Sequence, residues 1–145
     1  LKLDRKCALT ILCEGVATGL TLYDAIPNAN VIVAFNCSNL VQVAETIKLH
    51  GMAAIASDND KETEKKIGRN PGIESAAAAA KALGCGFAAP DCKGSDWNDY
   101  FAEQVAEKWA AANAGLKIKT RKSDIERSVK AQIMRDIMRA ARFVK

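Results

Sequence analysis

Three carboxylates in this chain lie where an apolar segment gives way to polar residues: Glu14 after ALTILC, and Asp58 and Asp60 just beyond MAAIA. Two aspartates one residue apart, where a strand unravels, can both turn toward one point. Carboxylate oxygens are the ligands that Mg²⁺ and Mn²⁺ prefer, and Mg²⁺ commonly takes one or two from the protein while keeping water and substrate phosphate. Two such acids with a third across a crevice therefore suit a phosphate-handling metal site. Each part alone has an ordinary explanation. Asp-Asn-Asp readily forms turns through bonds to its own backbone, and a glutamate before a helix is favoured by the helix dipole. Further on, Asp96 and Asp99 of KGSDWND either add ligands or serve as N-cap and first-turn acid of a helix.

The elements that must position these acids follow from periodicity. Ala8 to Cys13, Val31 to Phe35 and Met52 to Ala56 are short apolar runs of the kind expected for strands covered on both faces, and Gly86 to Ala89 is a fourth, shorter candidate. Helical spacing is expected over Val16 to Ile26 and over Leu40 to Leu49, with Gly51 as the stop of the second. Lys61 to Arg69 reads as a polar stretch. Asn70-Pro71 starts a helix that runs to Leu83 and stops at Gly84, and Asp96 to about Asn113 is another. Strands alternating with helices imply an α/β fold, a mostly parallel four-stranded sheet with helices on both faces. Ligands of such sheets bind beyond the carboxyl ends of the strands, where Glu14, Asp58 and Asp60 fall.

Charge divides the chain. Residues 1–115 carry 11 Lys/Arg against 14 Asp/Glu, and residues 116–145 carry 10 against 3. The expected organisation is a catalytic body over 1–115 and a basic helical tail over 116–145 that packs on the body or links to a missing domain. Ser123-Asp124-Ile125-Glu126 matches a capping box, and Ile125, Val129, Ile133 and Ile137 then make an apolar stripe along a basic helix. Its outer charges are suited to a nucleic-acid backbone. Lys61, Lys65, Lys66 and Arg69 follow the aspartates directly and are candidates for nucleotide or nucleic-acid phosphates, although each is also an ordinary solvated side chain. Five cysteines form no CxxC pair, and His50 has no spaced partner, so zinc is not expected and a reduced, cytoplasmic chain is. No apolar run is long enough to span a membrane. The chain opens on Leu, as a piece of something longer would.

Taken together, Glu14-Gly15 after strand one and Asp58-x-Asp60 after strand three resemble the signature of the Toprim domain, found in bacterial-type primases, type IA and type II topoisomerases, some nucleases and recombination proteins. Residues 13–19, CEGVATG, are similar to the EGxATA opening of plasmid and phage primase-like members. Val33-Ala34-Phe35, Ser57-Asp58-Asn59-Asp60, Asn70-Pro71-Gly72 and Lys93 to Asp99 follow in that subgroup's order, so the resemblance covers residues 8 to about 104. It implies a Toprim-like (Rossmann-like) fold and Mg²⁺- or Mn²⁺-dependent nucleotidyl transfer that makes RNA primers on single-stranded DNA from nucleoside triphosphates. It implies Glu14 as general acid or base and metal ligand, Asp58 and Asp60 as metal ligands, and Asp96 and Asp99 near the same site. A helicase or other domains of the parent chain are the implied protein partners.

The chain departs from the pattern in places. Neither the zinc module nor the extra basic subdomain usual in primases is visible in these residues, whose five cysteines cannot supply the former, and the tyrosines, Tyr23 and Tyr100, fall in expected helices, where they are poor candidates for a topoisomerase nucleophile. A Toprim nuclease or strand-cleavage module, and a non-catalytic nucleic-acid- or protein-binding α/β module, stand as alternatives. Without GxxxxGK[ST] or GxGxxG, a nucleotide-loop ATPase is disfavoured.

Overall fold

A computed structural model describes residues 1–3, 7–114 and 120–144. The parallel core of the sheet is β2 (Leu9–Cys13), β3 (Ala29–Val33), β4 (Gly51–Ala56) and β5 (Gly86–Ala88), in the order β3-β2-β4-β5. All five residues of β2 and of β3 are buried, which explains their lack of polar alternation. α1 (Val16–Ala25), α5 (Trp97–Asn113) and α6 (Lys122–Ala140) cover one face, and α2 (Cys37–Thr46) and α4 (Pro71–Leu83) cover the other. The expected α/β class with helices on both faces is what the chain adopts.

Two antiparallel strands extend this core. β1 (Lys2–Leu3) pairs with β3, and β6 (Arg142–Val144) pairs with Gly51–Ala53 of β4, on the edge that β5 leaves free. Among the described residues the sheet therefore has six strands rather than four. Both additions are too short to carry a periodic signal, and α6 delivers β6 to an open edge.

Several boundaries shift for physical reasons. β3 ends at Val33 because Phe35 adopts φ +73°, which a strand cannot hold. α2 ends at Thr46, and Gly51 opens β4 instead of stopping the helix. A Cβ on Gly51, at φ +111°, would lie 2.5 Å from the Ala8 carbonyl oxygen, so glycine permits β4 to draw close to the start of β2. The polar stretch is a helix, α3 (Lys61–Ile67), with no buried residue. It places Glu62 and Glu64 in its first turn and Lys65 and Lys66 in its last, in accord with the helix dipole.

The tail helix lays Ile125, Val129, Ile133 and Ile137 into the same core as β2, β3 and α1. Each such side chain contributes about 1.5–3 kcal/mol relative to leaving it exposed. Lys130 adds an ion pair to Asp24 of α1 at 2.6 Å. The boundary expected at residues 115–116 lies outside the described residues. The capping box does not form: α6 begins at Lys122 after Arg121, with no side-chain cap. Ser123 is thus an interior first-turn residue, and Ser123→Ala is expected to change unfolding free energy by less than about 0.5 kcal/mol. Denaturant titration measures this, and a loss near 1 kcal/mol would restore the cap.

Among the described residues no helix is long and apolar enough to cross a membrane, the five cysteines are free, and His50 is exposed.

Candidate active site

The chain passes from β2 through α1 to β3 on one side, then returns through α2 to β4 on the other. The order of the strands therefore reverses between β2 and β4, and such a reversal opens a crevice at the carboxyl ends of the strands. Cys13 and Ala56 are register partners there. Glu14 lies one residue beyond Cys13 and Asp58 two beyond Ala56, so the register alone brings the two acids to the mouth of that crevice.

Their charges act on a shared neighbourhood. Asp58 is pushed up to about 7 by burial first, then by the charges of Glu14, Asp96 and Asp60. The buried Thr18 hydroxyl donates to Asp58 Oδ1 at 3.4 Å and opposes part of the shift. Burial also raises Glu14, Asp60 adds to the rise, and the backbone N–H of Cys37 at the start of α2 counters it. Glu14, Asp58, Asp60 and Asp96 thus form one acidic cluster, and among the described residues no cationic side chain acts on Glu14 or Asp58. Beside it, Cys13 is pushed up to about 12, chiefly by burial and then by Asp58, and stays an inert thiol.

The Asp58-Asn59-Asp60 loop is built from both sides. Asp60 Oδ2 accepts the N–H of Gly72 at 3.1 Å, inside the first turn of α4. A Cβ on Gly72 would come within 2.6 Å of the Asp58 carbonyl oxygen, so only glycine lets α4 approach. Asn70 is the hub. Its Oδ1 accepts from Asp60 N (3.1 Å) and Ile73 N (3.2 Å), and its Nδ2 donates to Asn59 Oδ1 (3.0 Å) and Glu64 Oε2 (3.1 Å). The helix start expected at Asn70-Pro71 is present, and the same side chain also fixes the aspartate loop. Asn70→Ala is expected to cost about 1–2 kcal/mol through loss of the cap and of a buried partner. Thermal unfolding reads the cost, and an unchanged midpoint would deny the hub role.

The KGSDWND segment closes the third side. Asn59 N donates to Ser95 O at 2.7 Å. Asp96 is the N-cap of α5, accepting from Asp99 N at 2.8 Å, and its charge also reaches Asp58. Asp99 accepts from Ser95 N at 3.0 Å and, like Glu103, organises the loop. It is not among the groups acting on Glu14 or Asp58. The basic candidates separate. Lys61 borders a cleft of about 330 Å³ with Asp60, Lys93 and Asp99, and it pairs with Asp91 at 2.7 Å. Lys65 pairs with Glu62, Arg69 pairs with Glu74, and Lys66 is exposed on α3. Tyr23 lies in α1 and Tyr100 in α5.

The donors are carboxylates only and repel one another, and hard oxygen donors of this kind suit a divalent cation. Among the described residues no three Asp, Glu, His or Cys side chains form a ready-made metal cage. Mg²⁺ needs none, since water and substrate phosphate complete its shell.

Sequence reasoning did not anticipate Thr18 or Gly72 at the site, nor Phe35 beside it. Asn70-Pro71-Gly72 carried a signal for the second, and Thr18 and Phe35 stood only as members of the CEGVATG and Val33-Ala34-Phe35 stretches that carry the family resemblance.

Comparison with known proteins agrees with this geometry. Over 79 residues, 51% of the chain and 7% of the relative, the chain is 39% identical to "DNA primase TraC" of Escherichia coli, so the matched part is a small fraction of that protein. No solved structure matches. Residues 9–107, which include Glu14, Asp58, Asp60, Asp96 and Asp99, match the family described as Toprim domain, and by that match, with its acids gathered at the β2/β4 crevice, the chain belongs to the Toprim domain family.

Proposed function

We propose that this chain is the Toprim module of a primase-like protein and performs Mg²⁺- or Mn²⁺-dependent nucleotidyl transfer, making RNA primers on single-stranded DNA in phage or plasmid replication. The observation that carries the proposal is the anionic cluster of Glu14, Asp58 and Asp60 at the strand-order reversal. The likeness to a protein named as a DNA primase supports the choice among Toprim activities.

In this reading Asp58 and Asp60 hold the cation, with Asp96 adjoining them. Bound there, a divalent ion would neutralise phosphate charge and orient the reacting oxygens. Thr18 and Cys37 N–H fix where Asp58 and Glu14 present their oxygens. Glu14, raised by burial and by Asp60, accepts the proton of the attacking hydroxyl at its carboxylate. Lys61, with Lys93 across the cleft, lies where the phosphates of a nucleoside triphosphate extend beyond the acids. Lys65, Lys66 and Arg69 on and after α3 supply a weaker, salt-sensitive attraction for the strand. The body (1–115) and the basic tail (116–145) act as one unit, because the apolar stripe of α6 belongs to the body's core. The compartment of such a module is the cytoplasm, and a helicase or other domains of the parent chain complete the apparatus.

Calorimetric titration of Mg²⁺ and Mn²⁺, with single-stranded DNA present, tests this. Millimolar or tighter binding by the wild type, lost in Asp58→Asn/Asp60→Asn, is expected, together with template-dependent ribonucleotide incorporation by the wild type. Equal titrations of the two proteins would remove the metal site. Metal binding with strand nicking and no primers would assign the same acids to cleavage.

A further inference from the structure

We propose that Phe35 and the open face of Gly15 form a stacking platform for one nucleobase at the rim of the acidic site. The inference rests on the nucleic-acid reading above and adds to it the residues that hold a base.

Phe35 is costly where it stands. It follows β3 with φ +73° and is the one non-glycine residue of positive φ among the described residues. It is also 61% exposed, so its ring gains little from packing. A bulky side chain in the left-handed region is disfavoured, and such outliers concentrate at functional sites. The conformation is firmly held. Ala34 N donates to Cys13 O (2.9 Å), Phe35 N donates to Glu14 O (2.8 Å), and Asn39 Nδ2 donates to Ala34 O (3.1 Å). Asn36 then caps α2 through Asn39 N at 2.8 Å. The ring is thus mounted on fixed backbone and turned toward solvent.

Gly15 presents the opposite puzzle. Its backbone, φ −92° and ψ 151°, suits any residue, and a Cβ there would meet nothing within 4 Å. As the N-cap of α1 it is a position that favours glycine mildly over most residues, but neither its φ nor its packing requires one. What glycine supplies is a bare peptide surface that a ligand can approach closely. The two features adjoin, because the carbonyl that Phe35 N–H bonds is that of the Glu14–Gly15 peptide.

An exposed ring and a bare peptide flanking a carboxylate cluster do not attract phosphate. They suit a flat, uncharged face, and aromatic side chains bind bases of any sequence in this way. The base belongs either to the template strand or to the incoming nucleotide.

The test compares wild type with Phe35→Gly, Phe35→Trp and Gly15→Ala. Phe143→Ala serves as control, since Phe143 is 71% exposed but pairs with Met52 at the other end of the sheet. With Mg²⁺ present, the probes are a fluorescent thymidine 12-mer, an abasic oligonucleotide of equal length, and ATP. Phe35→Gly should unfold no lower than wild type, since glycine relieves the strained φ, yet bind the thymidine 12-mer or ATP about fivefold to a hundredfold more weakly. The probe affected tells which base is held. Abasic binding should be unchanged, Phe35→Trp and Phe143→Ala should bind as wild type, and Gly15→Ala should fold normally and bind more weakly. Wild-type binding of both base-bearing probes by Phe35→Gly, or an equal loss on the abasic probe, overturns the platform alone. Absence of all binding by the wild type overturns it together with the reading it rests on.

Discussion

Replacing Glu14 by Gln is expected to lower primer synthesis by about 10²- to 10⁴-fold, the range of general acid–base catalysis, while Mg²⁺ affinity changes little. Gln preserves the shape and can still accept the N–H of Cys37, so the α1 and α2 starts should be undisturbed. It removes the capacity to take a proton. Burial and the charge of Asp60 raise Glu14, which makes it a better base than an exposed glutamate when ionised, and bound metal would reverse part of that rise. The measurement is ribonucleotide incorporation across a Mg²⁺ titration up to saturation, with nucleotide KM determined in parallel. A fall in kcat at constant KM assigns proton transfer to Glu14. Recovery of the rate at high Mg²⁺ would make Glu14 a metal ligand instead, because excess cation repairs weak coordination but not a missing base.

The placement of these acids was only partly legible in the sequence. β2 and β4 are continuous apolar runs, and their ends place Glu14 and Asp58 without reference to anything distant. Asn70-Pro71 announces α4 through local capping chemistry. What the sequence could not show depends on contacts between remote segments. α3 has no apolar face, so periodicity missed it. β6 is three residues placed against β4 by the docked α6 that precedes it. Ser123 and Glu126 have the right spacing for a capping box, but docking sets the helix start at Lys122, which leaves Ser123 inside the first turn. Asn70 as a hub, Thr18 beneath Asp58 and the left-handed turn at Phe35 arise from chain segments meeting at the sheet end. Charge runs misled in a similar way. The four basic residues after the aspartates fall within nine positions of one another, yet of these only Lys61 borders the cleft beside Asp60.

The same cluster sets a cost that the metal-free protein must carry, and Asp58→Asn should reveal it. Asp58 ionises near 4 in an unfolded chain and at about 7 in the fold, with burial as the largest cause and Glu14, Asp96 and Asp60 as the charged ones. Between those values the folded state keeps a proton that the unfolded state has lost. Stability therefore falls as pH rises from about 4 through about 7, and it is independent of this group outside the window. Partial exposure of Asp58 screens the effect to about 1–2 kcal/mol at pH 8, or roughly 3–8 °C of Tm. Without metal, Asp58→Asn should consequently melt higher than wild type at pH 8 and equally at pH 4. With Mg²⁺ the order should reverse, because the cation supplies a counter-charge to the wild type while the variant binds it at least about tenfold more weakly. Differential scanning calorimetry of both proteins at the two pH values, with and without Mg²⁺, reads the whole cycle. A variant that melts lower than wild type in metal-free buffer at pH 8 would mean that Asp58 stabilises the fold as an ion. The cluster would then be a structural turn, and a cation would have no reason to bind there.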